Sequence, residues 1–122
     1  MKAVRVTVAP PNSVVLVSDA SGGDIPTEMK GAVVSATSTC IAVGCLSEDD
    51  GQTEFTLTPL SEVDQTEKPV YEGMIETPKR QIVVRSVLGQ QLLELPVLQE
   101  LTKIRIWVND QAEPSKVIVG VD

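Results

Sequence analysis

TKIRIWVND, residues 102–110, decides the fold class of this 122-residue chain. Aliphatic residues occupy every second position of the stretch, with two cations and a tryptophan between them: Ile104, Ile106 and Val108 against Lys103, Arg105 and Trp107. Such alternation is typical of a β-strand with one buried face. The same pattern occurs near both ends of the chain, in VRVTV at 4–8 and KVIVGV at 116–121. We therefore expect sheets with one apolar face.

Further β-like runs fill the chain between these stretches, and Gly, Pro, Asn and Asp separate them. They lie at 13–19, 32–38, 40–46, 52–59, 70–78 and 81–98, the last as two strands around Gly89. Valine dominates the apolar residues, and β-branched side chains fit a pleated surface. The sequence predicts a single domain over 1–122 that is all-β. We expect an antiparallel β-sandwich, or a partly open barrel, of 8–10 short strands with at most one or two short helical turns.

Several local interpretations have alternatives. The runs at 32–38 and 40–46 are either two strands or one long strand with a bend near Thr39. A helix over 85–95 is the alternative to two strands, because its leucines have helical spacing. Single helical turns are expected over 24–30 and in the polar connection 59–69, where Pro59 takes the first helical position.

The charge balance restricts the partners. The chain has 17 acidic and 10 basic residues, and its formal net charge is −7. Nucleic-acid binding depends on clustered Lys and Arg, so we expect no nucleic-acid ligand. The balance fits solubility alone or a basic protein partner. Apolar residues alternate near the start and nowhere approach the ~20-residue run of a membrane span, so we expect no membrane association and a cytoplasmic location.

The residue inventory excludes several chemistries. The chain has no histidine, which removes Ser–His–Asp and Cys–His catalysis and His-ligated zinc. Phosphate-binding glycine loops and nucleophile-elbow motifs do not occur. Cys40 and Cys45 are an odd number of positions apart and, in an extended segment, roughly 16 Å apart, so we expect two reduced thiols. We therefore predict no catalytic residue, no metal site and no cofactor, and a protein that is not an enzyme.

SEDDG, residues 47–51, is an acidic turn between two β-like runs. Its contiguous acids do not match the spacing of an EF-hand calcium loop. Asp-Gly favours a tight hairpin turn, because both residues tolerate positive φ. We interpret the stretch as a solvated hairpin turn, with an acidic tip that faces a partner as the alternative. The partner-binding candidates on that alternative are Glu48, Asp49, Asp50 and Glu54.

A second acidic stretch follows at Glu62, Asp64 and Glu67. If the connection 59–69 lay beside the acidic turn, the two would form one negative patch, and like charges held together would indicate a basic partner. The sequence leaves this adjacency open, and two unrelated solvent loops are the alternative.

Arg105 and Trp107 form another candidate pair. By parity with Ile104 and Ile106 they lie on the outer face of their strand. Exposed Trp and Arg are common interface anchors, and the two side chains can stack on each other. The alternative is that a long loop covers Trp107.

The order of elements resembles the small bacterial β-sandwich proteins typified by the competence protein J nuclease inhibitors. The similar pieces are the VVLVSD strand, the loop to KGAVVSA, the acidic turn before TEFTLT, the VYEGMIET strand and the TKIRIWVND strand. This resemblance covers most of the chain as a pattern of strands and transfers no functional residue. It implies a cytoplasmic protein that binds another protein and has no catalysis of its own.

Two functional hypotheses follow. The first is a small acidic, non-catalytic protein-binding module, of inhibitor or immunity type, that covers a basic surface of its partner through charge complementarity. The second is a structural homo-oligomer or assembly component that is joined through sheet edges or through the face that carries Trp107.

Overall fold

Ten strands form two five-stranded sheets in the computed structural model, which describes residues 3–27, 29 and 32–122. The strands are β1 (Val4–Val8), β2 (Val14–Asp19), β3 (Val34–Ala36), β4 (Cys40–Gly44), β5 (Thr53–Pro59), β6 (Tyr71–Glu76), β7 (Gln81–Ser86), β8 (Gln91–Pro96), β9 (Leu101–Val108) and β10 (Lys116–Val121). Two 3-10 turns, Pro11–Ser13 and Leu60–Glu62, are the helical elements of the described residues.

The two sheets stack as a sandwich and do not close into a barrel. The first sheet has the order β1-β5-β10-β9-β6, and the second has the order β3-β4-β2-β7-β8. Every neighbouring pair is antiparallel except β5 and β10, which run parallel. The predicted all-β sandwich is confirmed, with one parallel pair that the alternation did not indicate.

The core lies between the sheets and consists of the alternate residues of the strands. From the first sheet it includes Phe55, Leu57, Ile104, Ile106, Val117 and Val119, and from the second Val15, Val17, Ile41, Ile82 and Val84. All of these are at most 1% exposed. Each fully buried side chain of this size contributes about 1.5–3 kcal/mol relative to an exposed one, so this layer is the main source of stability.

Long connections cover parts of both outer faces. On the second sheet, Leu16, Cys40 and Ala42 form a small apolar cluster with Val14, Val87 and Met29, the last from the 20–33 segment. On the first sheet, residues 60–70 cross the outer face. The positions of these two covers decide which outward residues reach solvent.

Two sequence alternatives are resolved by strand pairing. Residues 32–46 form the antiparallel hairpin β3–β4 with its turn at 37–39, so the single long strand is wrong. Thr37 Oγ1 accepts the N–H of Cys40 at 3.1 Å and closes that turn. Residues 81–96 form the hairpin β7–β8 with Gly89 at φ +89°, so the helix over 85–95 is wrong.

The predicted helical turns have mixed outcomes. The connection after β5 contains the 3-10 turn Leu60–Glu62, which confirms a turn there but places Pro59 just before it. Residues 24–27 are not helical, and residues 28 and 30 of the turn predicted over 24–30 lie outside the described residues. Among the described residues there is no helix long and apolar enough to cross a bilayer.

The acidic turn 47–51 is not a hairpin, although Asp-Gly predicted one. β4 belongs to the second sheet and β5 to the first, so residues 45–52 link the two sheets. Asp50 N–H donates to the Ser47 carbonyl at 2.9 Å, and Leu46 N–H donates to the Pro114 carbonyl at 2.9 Å. The segment therefore turns locally while its ends are held by different sheets.

Both cysteines are buried free thiols on different layers, as the odd separation predicted. Cys45 packs into the main core, and Cys40 packs into the outer apolar cluster. Burial raises the pKa of both thiols; Arg85 partly offsets this at Cys40, and a hydrogen bond with Thr53 partly offsets it at Cys45.

We expect both thiols to react with an aromatic disulfide reagent far more slowly in the native protein than in denaturant, because the thiolate is the reactive form and both sulfurs are shielded. Absorbance of the released thiol measures the rate. Two thiols per chain should titrate in denaturant under non-reducing conditions. A count below two, or an equally fast native reaction, would contradict this assignment.

Candidate functional site

Residues 60–70 are fixed onto the outer face of the first sheet by packing and hydrogen bonds. Leu60 is buried above Gly120, where a Cβ atom would lie 2.6 Å from Leu60 Cδ2. Gln65 Nε2 donates to the Leu60 carbonyl at 3.1 Å, and Val70 N–H donates to the Ile106 carbonyl at 2.8 Å. A side chain at position 120 would therefore force Leu60 to shift, and glycine lets the connection approach the sheet closely.

Trp107 points to the outer face, as parity predicted, but the connection covers it. Its exposure is 7%, and the indole Nε1–H donates to the Glu67 carbonyl at 2.9 Å. Of the two interpretations, the one in which a long loop covers Trp107 is therefore the one that the structure shows. The connection also supplies the hydrogen-bond partner that a buried indole takes. A contribution of Trp107 to partner binding stays a prediction, now without an exposed ring to support it.

Arg105 is also engaged within the chain. Its Nε lies 2.5 Å from Glu72 Oε2, and a terminal nitrogen donates to Gln65 Oε1. These contacts tie β9 to the edge strand β6 and to the connection. Arg105 is half-buried and paired, which leaves its predicted partner-binding role without geometric support.

The connection and strands β1, β5 and β10 enclose a groove that we call the acidic groove. It has a volume of about 270 Å³ and is lined by Ala3, Arg5, Glu54, Thr56, Thr58, Glu62, Val63, Asp64 and Ile118. Three carboxylates and one guanidinium therefore surround a floor of threonine, valine and isoleucine side chains. The arrangement suits a long cationic side chain, whose methylenes can pack on the floor while its charge meets the carboxylates.

Among the described residues that line the acidic groove, Arg5 is the single cation. Its Nε donates to Thr56 Oγ1 at 3.3 Å and lies 3.9 Å from Glu54 Oε1. The Arg5 and Glu54 side chains are 63% and 39% exposed, so water screens this ion pair and it adds little stability. Glu54 stays available to an incoming cation.

The acidic turn lies directly before the strand that carries Glu54. Glu48, Asp49 and Asp50 are all exposed there. Asp49 N–H donates to Ser47 Oγ at 3.3 Å, which shapes the turn through backbone groups and leaves the three carboxylates to solvent.

A third acidic segment, absent from the sequence-based candidates, lies beside the acidic turn. It is the β9–β10 turn with Asp110 and Glu113, both exposed. Pro114, next to Glu113, accepts the N–H of Leu46, which brings the two turns together. Asp110 accepts the N–H groups of Glu113 and Ala112, and these bonds lower the pKa of its carboxyl. The spacing D-x-x-E in a turn was visible in the sequence, but its neighbour in space was not.

The structure therefore brings Glu54 together with Glu62 and Asp64 in one groove. Glu54 follows the acidic turn by three residues in the chain. No residue of the acidic turn belongs to the described lining of that groove, so the adjacency of the acidic turn and the connection 59–69 stays open. Glu67 is separate, since its carbonyl lies over Trp107. Arg105 and Trp107 lie on the far side of β10 from the groove.

The largest groove lies elsewhere and has a different character. It holds about 370 Å³ on the outer face of the second sheet, and its walls are mostly apolar, including Val14, Leu16, Ile25, Ala42 and Val87. No acidic residue belongs to the described lining. Within residues 3–27, 29 and 32–122, no three acidic or cysteine side chains are placed to hold a metal ion.

Comparison with solved structures identifies the fold. The chain is similar to ComJ from Bacillus subtilis, described as an inhibitor of the DNA degrading activity of NucA, with a TM-score of 0.67 and 11% identity over 97% of this chain and 93% of that chain. A more distant likeness, with a TM-score of 0.46 and 8% identity, covers 98% of this chain and 95% of a chain described as crocagin biosynthetic gene J. No family model and no curated protein sequence matches. The resemblance to the competence protein J inhibitors that the strand order indicated is confirmed at the level of the fold.

Proposed function

We propose that this protein is a non-catalytic, inhibitor-type module that binds another protein and covers a basic surface on it. The fold is that of an inhibitor of a nuclease, over nearly the whole of both chains. The observation that carries the charge assignment is the acidic groove, which Glu54, Glu62 and Asp64 line. A nuclease is a suitable partner class, because a protein that binds the phosphates of DNA presents clustered Lys and Arg.

The mechanism is electrostatic. The exposed carboxylates of the acidic turn attract the basic surface from a distance, and the acidic groove accepts one of its long cations at contact. Charges of this kind raise the association rate more than they slow dissociation, because they act before the surfaces touch.

The proposal predicts the behaviour of a variant in which Glu48→Gln, Asp49→Asn and Asp50→Asn are combined. We expect association with the partner to slow by about tenfold at low ionic strength. Dissociation should change little, and the difference from wild type should vanish as salt shortens the screening length from about 10 Å to about 3 Å. The free energy of unfolding should stay within about 0.5 kcal/mol, because the three side chains are exposed. Surface plasmon resonance and urea unfolding measure these quantities.

A matched control removes the same number of charges elsewhere. Glu76→Gln, Glu94→Gln and Glu100→Gln change exposed carboxylates on β6, β8 and the turn before β9. Glu76 and Glu100 lie near the start of β9, whereas the acidic turn lies near its end. Association of the control should remain near that of wild type at moderate salt. Equal slowing in both variants would assign the effect to net charge and reject the acidic turn as the steering surface.

To identify the partner, an extract of the native host is passed over the immobilised protein and the retained proteins are analysed. The result supports the proposal only if three conditions hold. The captured protein is basic, the variant with the neutralised acidic turn does not retain it, and its activity falls when it is bound. A captured protein that is acidic, or that the variant retains equally at low salt, contradicts it.

A homo-oligomer is the second candidate, and one observation favours it. Met74 and Leu101 are about half exposed and lie on the outer face where edge strand β6 meets β9. The Trp107 face is covered by the connection, so a joint through it would require that cover to move. Light scattering across a wide concentration range separates the candidates, since a monomer throughout removes the second.

A further inference from the structure

Arg85 on β7 has no carboxylate of the described residues within ion-pair distance. The other three arginines each face a carboxylate: Arg5 with Glu54, Arg80 with Glu100, and Arg105 with Glu72. Within the described residues, Arg85 Nε is inaccessible to solvent and makes no hydrogen bond. Arg105 Nε meets the same two criteria, but it lies 2.5 Å from Glu72 Oε2 and is compensated electrostatically.

A buried N–H group without a partner is unusual in a folded protein. Buried polar groups almost always have a hydrogen-bond partner, and a buried donor without one carries a desolvation cost. This exception therefore indicates that another group pairs with Arg85 when the protein is in solution.

A small cleft adjoins Arg85 on the outer face of the second sheet. It holds about 100 Å³ and is lined by Leu16, Ser18, Gly22, Gly23, Ile25 and Cys40, with Arg85. A water molecule needs only about 10–15 Å³ in such a measure, so the cleft admits a group of several heavy atoms. It is too small for a nucleotide or a folded partner element.

The wall of the cleft opposite the sheet is held in place by specific contacts. A Cβ atom on Gly23 would lie 2.3 Å from the Thr39 carbonyl oxygen, so glycine is required for this approach. Asp24 N–H donates to Thr39 Oγ1 at 2.8 Å, and Thr37 Oγ1–H donates to the Asp24 carbonyl at 2.7 Å. The strap 21–24 is therefore fixed against the β3–β4 turn, and the cleft is formed before any ligand arrives.

We propose that the Arg85 cleft binds a carboxylate monoanion. A guanidinium presents paired N–H donors that match the two oxygens of a carboxylate. One cation balances one negative charge, and the apolar walls from Leu16 and Ile25 disfavour a second charge. The site is independent of the proposed partner surface, because it lies on the other sheet.

The test uses nitrogen-15 labelled full-length protein and the Nε–Hε resonances of its four arginines. Acetate is titrated, with acetamide as the neutral analogue and sulfate as the dianion. We expect a saturable shift of the Arg85 resonance with acetate and none with acetamide, because hydrogen bonds to a charged acceptor are the stronger ones. N-acetylglycine, which mimics a polypeptide C-terminus, is titrated in a second experiment. Tighter binding than acetate identifies a polypeptide C-terminus as the source, and weaker binding identifies a free small acid.

Two variants complete the test. Arg85→Gln should weaken acetate binding by about tenfold or more, read from shifts of neighbouring backbone amides. Arg80→Gln, which removes an exposed and paired arginine, should leave it unchanged. Three results would each overturn the proposal: no saturable shift in wild type, sulfate binding as tightly as acetate, or an Arg85 resonance that responds to Asp24→Asn but not to acetate. The last result would show that the Asp24 carboxylate is the partner of the Arg85 guanidinium.

Discussion

Trp107→Ala is expected to lower the free energy of unfolding by about 3–5 kcal/mol, which is the usual cost of removing a buried large aromatic side chain. The connection 60–70 packs over the Trp107 ring, and the indole N–H donates to the Glu67 carbonyl. A domain of this size is stable by about 5–15 kcal/mol, so the variant should be close to its unfolding threshold. Urea unfolding followed by far-ultraviolet circular dichroism measures the loss, since Trp107 is the single tryptophan and fluorescence disappears with it.

Two comparisons separate packing from binding at this position. Trp107→Phe keeps an aromatic ring but loses the indole N–H, so it should cost about 1–2 kcal/mol. Lys103→Ala, at an outward position of the same strand, should change stability by no more than about 0.5 kcal/mol. Backbone amides of the connection should exchange faster in Trp107→Ala. A loss below about 0.5 kcal/mol would mean that the ring is exposed in solution and would restore Trp107 as an interface anchor.

The parity of residues along a strand was readable from the sequence, and its consequences held. Alternate valines and isoleucines lie in the core in β9 and β10, and those of edge strand β1 pack against it half-buried. A one-residue shift would expose the whole apolar face. Parity also placed Trp107 on the outer face. It did not show that the connection covers that face, because the cover depends on Leu60, Gly120 and Glu67, which are distant in sequence.

Turn chemistry is a weaker guide, as the acidic turn shows. Asp-Gly at 50–51 has the residues of a hairpin, yet β4 and β5 lie in different sheets. A dipeptide determines the local backbone, whereas the pairing of the flanking strands depends on long-range contacts such as Leu46 with Pro114. The same limit explains the parallel β5–β10 pair. It also explains why the adjacency of the connection 59–69 and the acidic turn could be stated only as a condition.

Asp19 is a structural carboxylate that the sequence did not single out. It is fully buried at the end of β2, where Oδ2 accepts the N–H and hydroxyl of Ser21 at 2.8 and 2.5 Å. Its Oδ1 accepts the N–H of Lys79 at 3.0 Å. One side chain therefore joins the β6–β7 turn to the strap that walls the Arg85 cleft.

Asp19→Ala should lower the free energy of unfolding by about 3 kcal/mol, because it removes the hydrogen bonds of Ser21 and Lys79 to a charged acceptor, which are worth about 1.5–3 kcal/mol each and which water replaces in part. Asp19→Asn keeps one acceptor oxygen and should cost about 2 kcal/mol. Asp24→Asn, on the same strap and with an exposed side chain, is the matched control and should stay within about 0.5 kcal/mol. Urea unfolding at neutral pH measures all three.

The effect of Asp19 should also depend on pH. Burial alone would raise the pKa of its carboxyl, but the hydrogen bonds from Ser21 and Lys79 outweigh burial and hold the pKa below its ordinary value. A carboxyl whose pKa is lower in the folded state than in the unfolded state binds protons more readily when unfolded, so its contribution is complete above the unfolded pKa of about 3.9. The contribution is lost as the pH falls through the folded pKa. The stability difference between wild type and Asp19→Asn should therefore be largest near neutral pH and shrink in acid, while that for Asp24→Asn stays small throughout. A difference that grows in acid would mean that Asp19 is protonated in the native state, and its place as the acceptor that joins strap and turn would have to be abandoned.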